Sequence, residues 1–158
     1  MLNMAPIFAA LRDRRVLLKI AAAIAAGVML TAGFPGPLTP SGHSSWFVWG
    51  AMIPLLLAAF YTRPRAAFIL GWLAGAVYWL FTLAWMLRLT TTSPTHWSWV
   101  ILGWVFMACY SALYTGAFAM TASFWVRAWG TENLARNVGI TFGLPLVWVG
   151  FEYLRGVL

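Results

Sequence analysis

Few side chains in this sequence could carry chemistry, and most stand apart from the partners that chemistry would need. The 158 residues hold one cysteine, two histidines and three acidic residues. A nucleophile becomes reactive through an adjacent base or a neighbouring positive charge. Cys109 has neither in sequence: it lies between Ala108 and Tyr110, with no charged residue within 15 positions on either side. An apolar setting leaves such a thiol unactivated, so a core cysteine is expected and no catalytic residue is assigned. His43 and His96 have no carboxylate or cysteine at ligand spacing, so neither a metal site nor a cofactor is expected. The most informative polar group is Glu152 with Arg155. At i,i+3 the two share a helix face and can neutralise each other. An ionisable residue inside a membrane span is costly and is by default a functional candidate, whereas near the interface the same pair is an inexpensive structural tie. Both readings stand. Arg88 has two as well, a ligand for a lipid phosphate or an interfacial anchor.

The elements that must position these groups are set by composition. Apolar residues make up 63% and charged residues 8%, against about 45–50% and about 25% in soluble domains. Ten basic and three acidic side chains cannot clothe a chain of this size in a water-facing surface. A soluble domain is excluded. Nucleic-acid binding is disfavoured despite the net charge of +7, and one cysteine cannot form an intrachain disulfide. A membrane helix needs roughly 20 mostly apolar residues. Five stretches qualify, at about 16–33, 46–61, 66–87, 97–126 and 138–158. A cleaved signal peptide competes for the first, because residues 21–26 are Ala-rich; no small-x-small site precedes Phe34 and Pro35, so a retained helix is expected. The fold class is therefore an all-α, polytopic membrane protein without a soluble domain, with residues 1–15 as a basic cytoplasmic N-terminus and 16–158 as a transmembrane domain.

Between the spans, Pro35, Pro37 and Pro40 with Gly36 and Gly42 predict an irregular loop. Residues 62–65 form a tight basic turn, and 88–96 and 127–137 read as polar loops. Gly71 with Gly75, and Gly139 with Gly143, offer small-residue faces for helix contact. With the N-terminus inside, the inner face collects Arg12, Arg14, Arg15, Lys19, Arg63, Arg65, Arg127 and Arg136. The outer face holds only Arg88 and Arg155. This asymmetry orients the chain by the positive-inside rule, N-terminus in and C-terminus out. Trp46, Trp49, Trp85, Trp97, Trp99, Trp125 and Trp129 fall near span ends, as an aromatic belt requires.

The order of local sequences carries more. Gly33-Phe34-Pro35, a Trp-containing loop and Ile53-Pro54-Leu55-Leu56-Leu57-Ala58 resemble the opening of bacterial apolipoprotein N-acyltransferases. Residues 66–75, with Trp85 closing that span, resemble the family's third helix, and residues 110–118 its fourth. Residues 145–156 resemble its fifth, where a Trp precedes a Glu-aromatic-Leu-Arg-Gly run. The resemblance implies an inner-membrane enzyme that moves an acyl chain from a phospholipid to the N-terminal amine of a diacylglyceryl lipoprotein. It implies a thioester on a cysteine, with a Glu and a Lys completing a nitrilase-type triad in a large periplasmic domain after the seventh of eight spans. No catalytic position transfers: Cys109 falls in the fourth helix, and Lys19 at the cytoplasmic edge. What transfers is a lipid- or substrate-facing set, Trp148, Glu152, Arg155, Arg88 and Trp85.

The expected function is thus the membrane part of an N-acyltransferase-like protein, a truncated or split form inactive alone. Membrane phospholipid, a lipoprotein N-terminus and a separate catalytic-domain chain are its implied partners, with no nucleic acid among them. The alternative is a small five-span, Trp-rich protein that binds or transports a small hydrophobic ligand. Against it, residues 35–45 lack the Trp- and Pro-rich pattern of translocator-type sensory proteins. A scaffold subunit without ligand is a third reading. Reporters active only outside the cytoplasm, fused after Ser44, Arg65 and Thr92, test the topology. Activity is expected after Ser44 and Thr92 and silence after Arg65; the reverse at Arg65 overturns the orientation.

Overall fold

The computed structural model describes residues 13–34, 46–92, 96–130 and 132–157, and every regular element among them is a helix. The expected loop of Pro35, Gly36, Pro37, Pro40 and Gly42, together with His43, Arg12 and Ser44, lies outside the described residues.

Local chemistry sets the helix ends. The α1 helix (Arg14–Ala32) starts where the Asp13 carboxylate accepts the Arg15 N–H at 2.9 Å, satisfying an amide with no partner inside the helix. The α2 helix (Trp46–Phe60) is short and carries Pro54. The α3 helix (Pro64–Thr82) opens on a proline, which suits a first turn because its missing N–H would be unpaired there anyway. A 3₁₀ segment (Leu83–Arg88) and one turn of helix, α4 (Leu89–Thr92), follow. His96 caps α5 (Trp97–Trp129) through Ser98. The Asn133 side chain accepts the Ala135 N–H at 2.9 Å at the start of α6 (Leu134–Val157). Four helical stretches are long and apolar enough to cross a membrane: α1, α3 with its extension, α5 and α6.

These bounds differ from the sequence expectation at three ends. The third span does not run as regular α-helix to residue 87; it tightens into the 3₁₀ segment at Leu83. The polar stretch 88–92, expected as loop, is helical. Here the hydroxyls of Thr90 and Thr91 donate to the carbonyls of Leu87 and Arg88, three residues back, at 2.7 and 2.8 Å, which suits a tighter helix. The 127–137 loop shrinks, because α5 continues to Trp129 and α6 begins at Leu134. Arginines belong to these terminal turns: Arg136 Nη1 donates to the Trp129 carbonyl at 2.7 Å, supplying a partner that a helix C-terminus lacks. The chain then leaves α5 through Gly130 at φ 66°, a left-handed conformation that glycine adopts without a Cβ penalty.

The α3 helix sits between α1 and α5 because all three present small residues. A methyl at Gly71 would lie 2.6 Å from the Thr115 carbonyl and from Ala119 Cβ, and one at Gly75 would lie 2.8 Å from Thr115 Cβ. On its other side, Gly27 of α1 approaches the Ala74 carbonyl so closely that a methyl would stand 2.5 Å from it. Ala23, Ala26, Ala67, Ala74 and Ala119 are fully buried in this seam. Two indoles then tie α3 to α5 reciprocally. Trp72 of α3 donates to the Cys109 carbonyl at 3.2 Å, and Trp104 of α5 donates to the Leu80 carbonyl at 3.1 Å.

One end of the bundle is bound together by cations and a buried hydroxyl. At the C-terminus of α2, Lys19 Nζ donates to the Tyr61 carbonyl at 2.7 Å, and Ser123 Oγ and Arg127 Nε donate to the Thr62 carbonyl at 2.6 and 3.4 Å. Positive charge is favourable at a helix C-terminus, where carbonyl dipoles point outward.

The glycines separate two classes of position. Gly75→Ala should cost about 1–3 kcal/mol of stability by overpacking the seam. Gly150→Ala, where a methyl meets nothing within 4 Å, should be neutral or stabilising by up to about 1 kcal/mol. Denaturation of the purified chain in mild detergent measures both, and equal effects would show that the seam does not set the packing.

Candidate functional site

At the end opposite the cation cluster, α6 sends one polar pair toward α3. Arg155 Nη2 and Nε donate to the same Glu152 oxygen at 2.7 and 3.2 Å. The i,i+3 spacing makes this contact, as the sequence expects. Its third partner was not legible there. The Arg155 guanidinium carbon lies 4.3 Å from the ring centroid of Trp79 on α3, and Trp79 is only 8% exposed. A guanidinium over an indole face gains a further attraction, larger where water is excluded. Glu152 therefore holds Arg155 from one side and Trp79 from the other, and the pair closes the gap between α6 and α3. Tyr78 packs edge-on against Trp79 at 4.8 Å.

Deeper in the bundle, Tyr110 and Tyr114 sit one turn apart on α5. Their hydroxyls are 3.0 Å apart and their rings meet edge-on at 5.7 Å. They border an apolar lateral cleft of about 300 Å³, walled by Leu113 and Ala117 of α5, Phe151 and Leu154 of α6, and Phe68 of α3. Because Phe151 adjoins Glu152 and Leu154 adjoins Arg155 in sequence, cleft and pair belong to one region. The tyrosine pair was missed in the sequence, although its i,i+4 spacing is the signal for a shared helix face. A second hollow of about 400 Å³ lies along α6 at Val147, Gly150, Phe151, Tyr153 and Leu154.

The other sequence candidates fall elsewhere. Trp148 is half-buried and stacks edge-on against Phe118 of α5 at 5.0 Å, in a cluster with Ala122, Ile140 and Leu144, so it seats α6 on α5. Lower on the same helix, Gly139 and Gly143 receive the indoles of Trp129 and Trp125, 3.2 and 2.6 Å from where their methyls would stand. That glycine pair thus makes a notch for aromatic rings rather than a backbone-to-backbone crossing. Trp85 is 60% exposed in the 3₁₀ segment, whose last residue is Arg88. Neither belongs to the ion pair. Cys109 is partly buried on α5. Among the described residues, no three His, Cys, Asp or Glu side chains gather as a metal site would require.

Comparison with known proteins bears on this arrangement. The family model of the apolipoprotein N-acyltransferase N-terminal domain matches residues 26–158. The apolipoprotein N-acyltransferase of Geobacter metallireducens is 34% identical over 139 residues, which cover 86% of this chain and 24% of that relative. The chain therefore spans about a quarter of the relative's length. No solved structure matches the chain.

Removing either member of the ion pair has unequal consequences. Arg155→Gln leaves a carboxylate that can take up a proton, whereas Glu152→Gln leaves a guanidinium that stays charged. Glu152→Gln should destabilise the chain at least as much as Arg155→Gln. A double-mutant cycle by detergent unfolding should give a coupling of about 0.5–3 kcal/mol. Strict additivity would mean that the contact contributes nothing.

Proposed function

The chain belongs to the apolipoprotein N-acyltransferase family through its N-terminal domain, and from that premise we propose that it docks a phospholipid acyl donor for N-acylation of a lipoprotein. The observation that carries this reading is the cleft between α5 and α6. It is apolar and opens laterally, as suits an acyl chain arriving from the bilayer. The polar side chains among its lining residues are the two tyrosines. One hydroxyl proton is used in the Tyr110–Tyr114 bond, which leaves the other to donate to an ester carbonyl. Arg155 spends two N–H groups on Glu152 and has three left for a headgroup oxygen. Trp148, Trp85 and Arg88 act as support: the first seats the wall of the cleft, and the other two anchor the turn beyond α3 at the interface.

The proposed setting is the bacterial inner membrane. Residues 16–158 span it, and the basic end, with the N-terminal segment 1–15, faces the cytoplasm. The ion pair then lies toward the periplasm, on the side where a lipoprotein's amine is presented. Acyl transfer through a covalent intermediate needs an activated nucleophile, a base and an oxyanion site, and we assign none of these here. Cys109 is a partly buried residue of α5 whose carbonyl accepts from Trp72, and the amine of Lys19, the chain's one lysine, is held at the far end by the Tyr61 carbonyl. A separate catalytic domain supplies the chemistry. The reading as a small-ligand binder or carrier gains nothing from the comparisons, whose match runs through all the spans after the first helix's N-terminal half.

Two outcomes are expected of the purified chain in detergent. Alone, with phospholipid and a diacylglyceryl peptide, it should form no N-acylated peptide above a no-protein control. Ala117→Phe, which fills the cleft, should weaken binding of a spin-labelled phospholipid several-fold. Acyl transfer by the chain alone, or undiminished binding in the variant, would overturn the assignment.

A further inference from the structure

A third hollow, of about 600 Å³, lies between α1 and α2 at the basic end. It is lined by Leu18 and Ala22 of α1 and by Ile53, Pro54 and Leu57 of α2, with Arg15, Lys19 and Tyr61 at its end. We propose that this groove binds a phospholipid of net negative charge, with the phosphate on Arg15 and Lys19 and an acyl chain along Ile53 and Leu57. The inference is independent of the cleft between α5 and α6, which lies deeper in the bundle and on other helices.

The apolar part accounts for the chain. Leu18, Ile53 and Leu57 are 61%, 56% and 54% exposed, so the groove's walls are open rather than packed away. Pro54 is part of the wall. It lines the groove from within α2 and has no N–H for the Gly50 carbonyl. A volume of this size falls within the range of small-molecule sites, about 300–1,000 Å³.

The polar part accounts for the charge. Arg15 and Lys19 are four residues apart and so share a face of α1. Lys19 is held in place by its bond to the Tyr61 carbonyl, which leaves two of its three ammonium protons to donate. No carboxylate lines the groove. The nearest in sequence, Asp13, is occupied by the Arg15 backbone N–H as the cap of α1. Two cations at the end of an apolar trough match an anionic amphiphile. A free phosphate would use only the rim, and a neutral apolar ligand only the trough. A zwitterionic lipid would bring its own ammonium toward Arg15 and Lys19 and bind more weakly.

The test is lipid retention by the full chain, measured by native mass spectrometry from detergent with palmitoyl-oleoyl phosphatidylglycerol or the matching phosphatidylcholine. Phosphatidylglycerol should be retained at least fivefold more. Arg15→Gln should remove most of that preference, and Leu57→Trp should reduce retention of both lipids. Arg65→Gln, a basic residue of the same end but outside the groove, should change neither. Both groove positions are exposed, and circular dichroism confirms that each variant keeps its helices. Equal retention of the two lipids would overturn the proposal, as would equal losses in Arg15→Gln and Arg65→Gln, or no effect of Leu57→Trp. So would displacement of the lipid by inorganic phosphate, since the headgroup alone would then carry the binding.

Discussion

Everything else in this bundle depends on how closely α3 and α5 approach. Apolar side chains gain nothing by leaving lipid tails for one another, so membrane helices associate through dense packing and hydrogen bonds between helices. Gly71 and Gly75 remove the side chains that would keep the α5 backbone away, and Thr115, Gly116 and Ala119 occupy the space. Only at that separation can the indoles of Trp72 and Trp104 reach carbonyls of the opposite helix. The Cys109 carbonyl, inside α5, already serves its own helix and uses its second lone pair for the indole. The glycines thus decide which hydrogen bonds are geometrically possible, and those bonds fix how far one helix can slide along the other.

The two ends of the bundle solve the problem of polar groups near a membrane differently. At the basic end, cations face carbonyls that end a helix, so charge meets a dipole and Lys19 and Arg127 keep their charge accessible to water and headgroups. At the other end charge meets charge. Glu152 and Arg155 cancel, and the guanidinium is placed over a buried ring. The first arrangement holds loops and helix ends in place, and the second joins two helices that otherwise barely touch. A protein with both can face different surroundings at its two surfaces with one acid–base pair and a handful of cations.

Much of the fold was legible because charges in the sequence come in clusters separated by apolar runs of membrane length. The helix ends were less so. Polar residues there read as loop, yet Arg127, Arg136 and the threonines of 90–91 bond to carbonyls of the final turns and so belong to the helices. Of the candidate site, the Glu152–Arg155 contact followed from its spacing, and the glycine pairs were marked as contact faces. Their partners were not legible, since nothing local distinguishes Trp79 from the other tryptophans or tells a glycine that receives a backbone from one that receives an indole. The tyrosine pair on α5 carried a usable signal that was passed over, because uncharged hydroxyls in an apolar run look like filler.

The proline in α6 has a mechanical consequence. Pro145 removes the bond to the Thr141 carbonyl and sits just past the stretch where Gly139 and Gly143 hold the indoles of α5. Below it the helix is clamped; above it, Trp148 meets Phe118 and Arg155 meets Trp79, with Val147 and Phe151 packed on the same cluster as Trp148. Phe151 stands six residues beyond the proline, about 9 Å along the axis. A change of about 20° in the bend, the size at which helix kinks are usually recognised, would sweep it through about 3 Å. Such a bend would change the width of the α5–α6 cleft by roughly the thickness of a methylene chain without touching the glycine seam of α3 and α5.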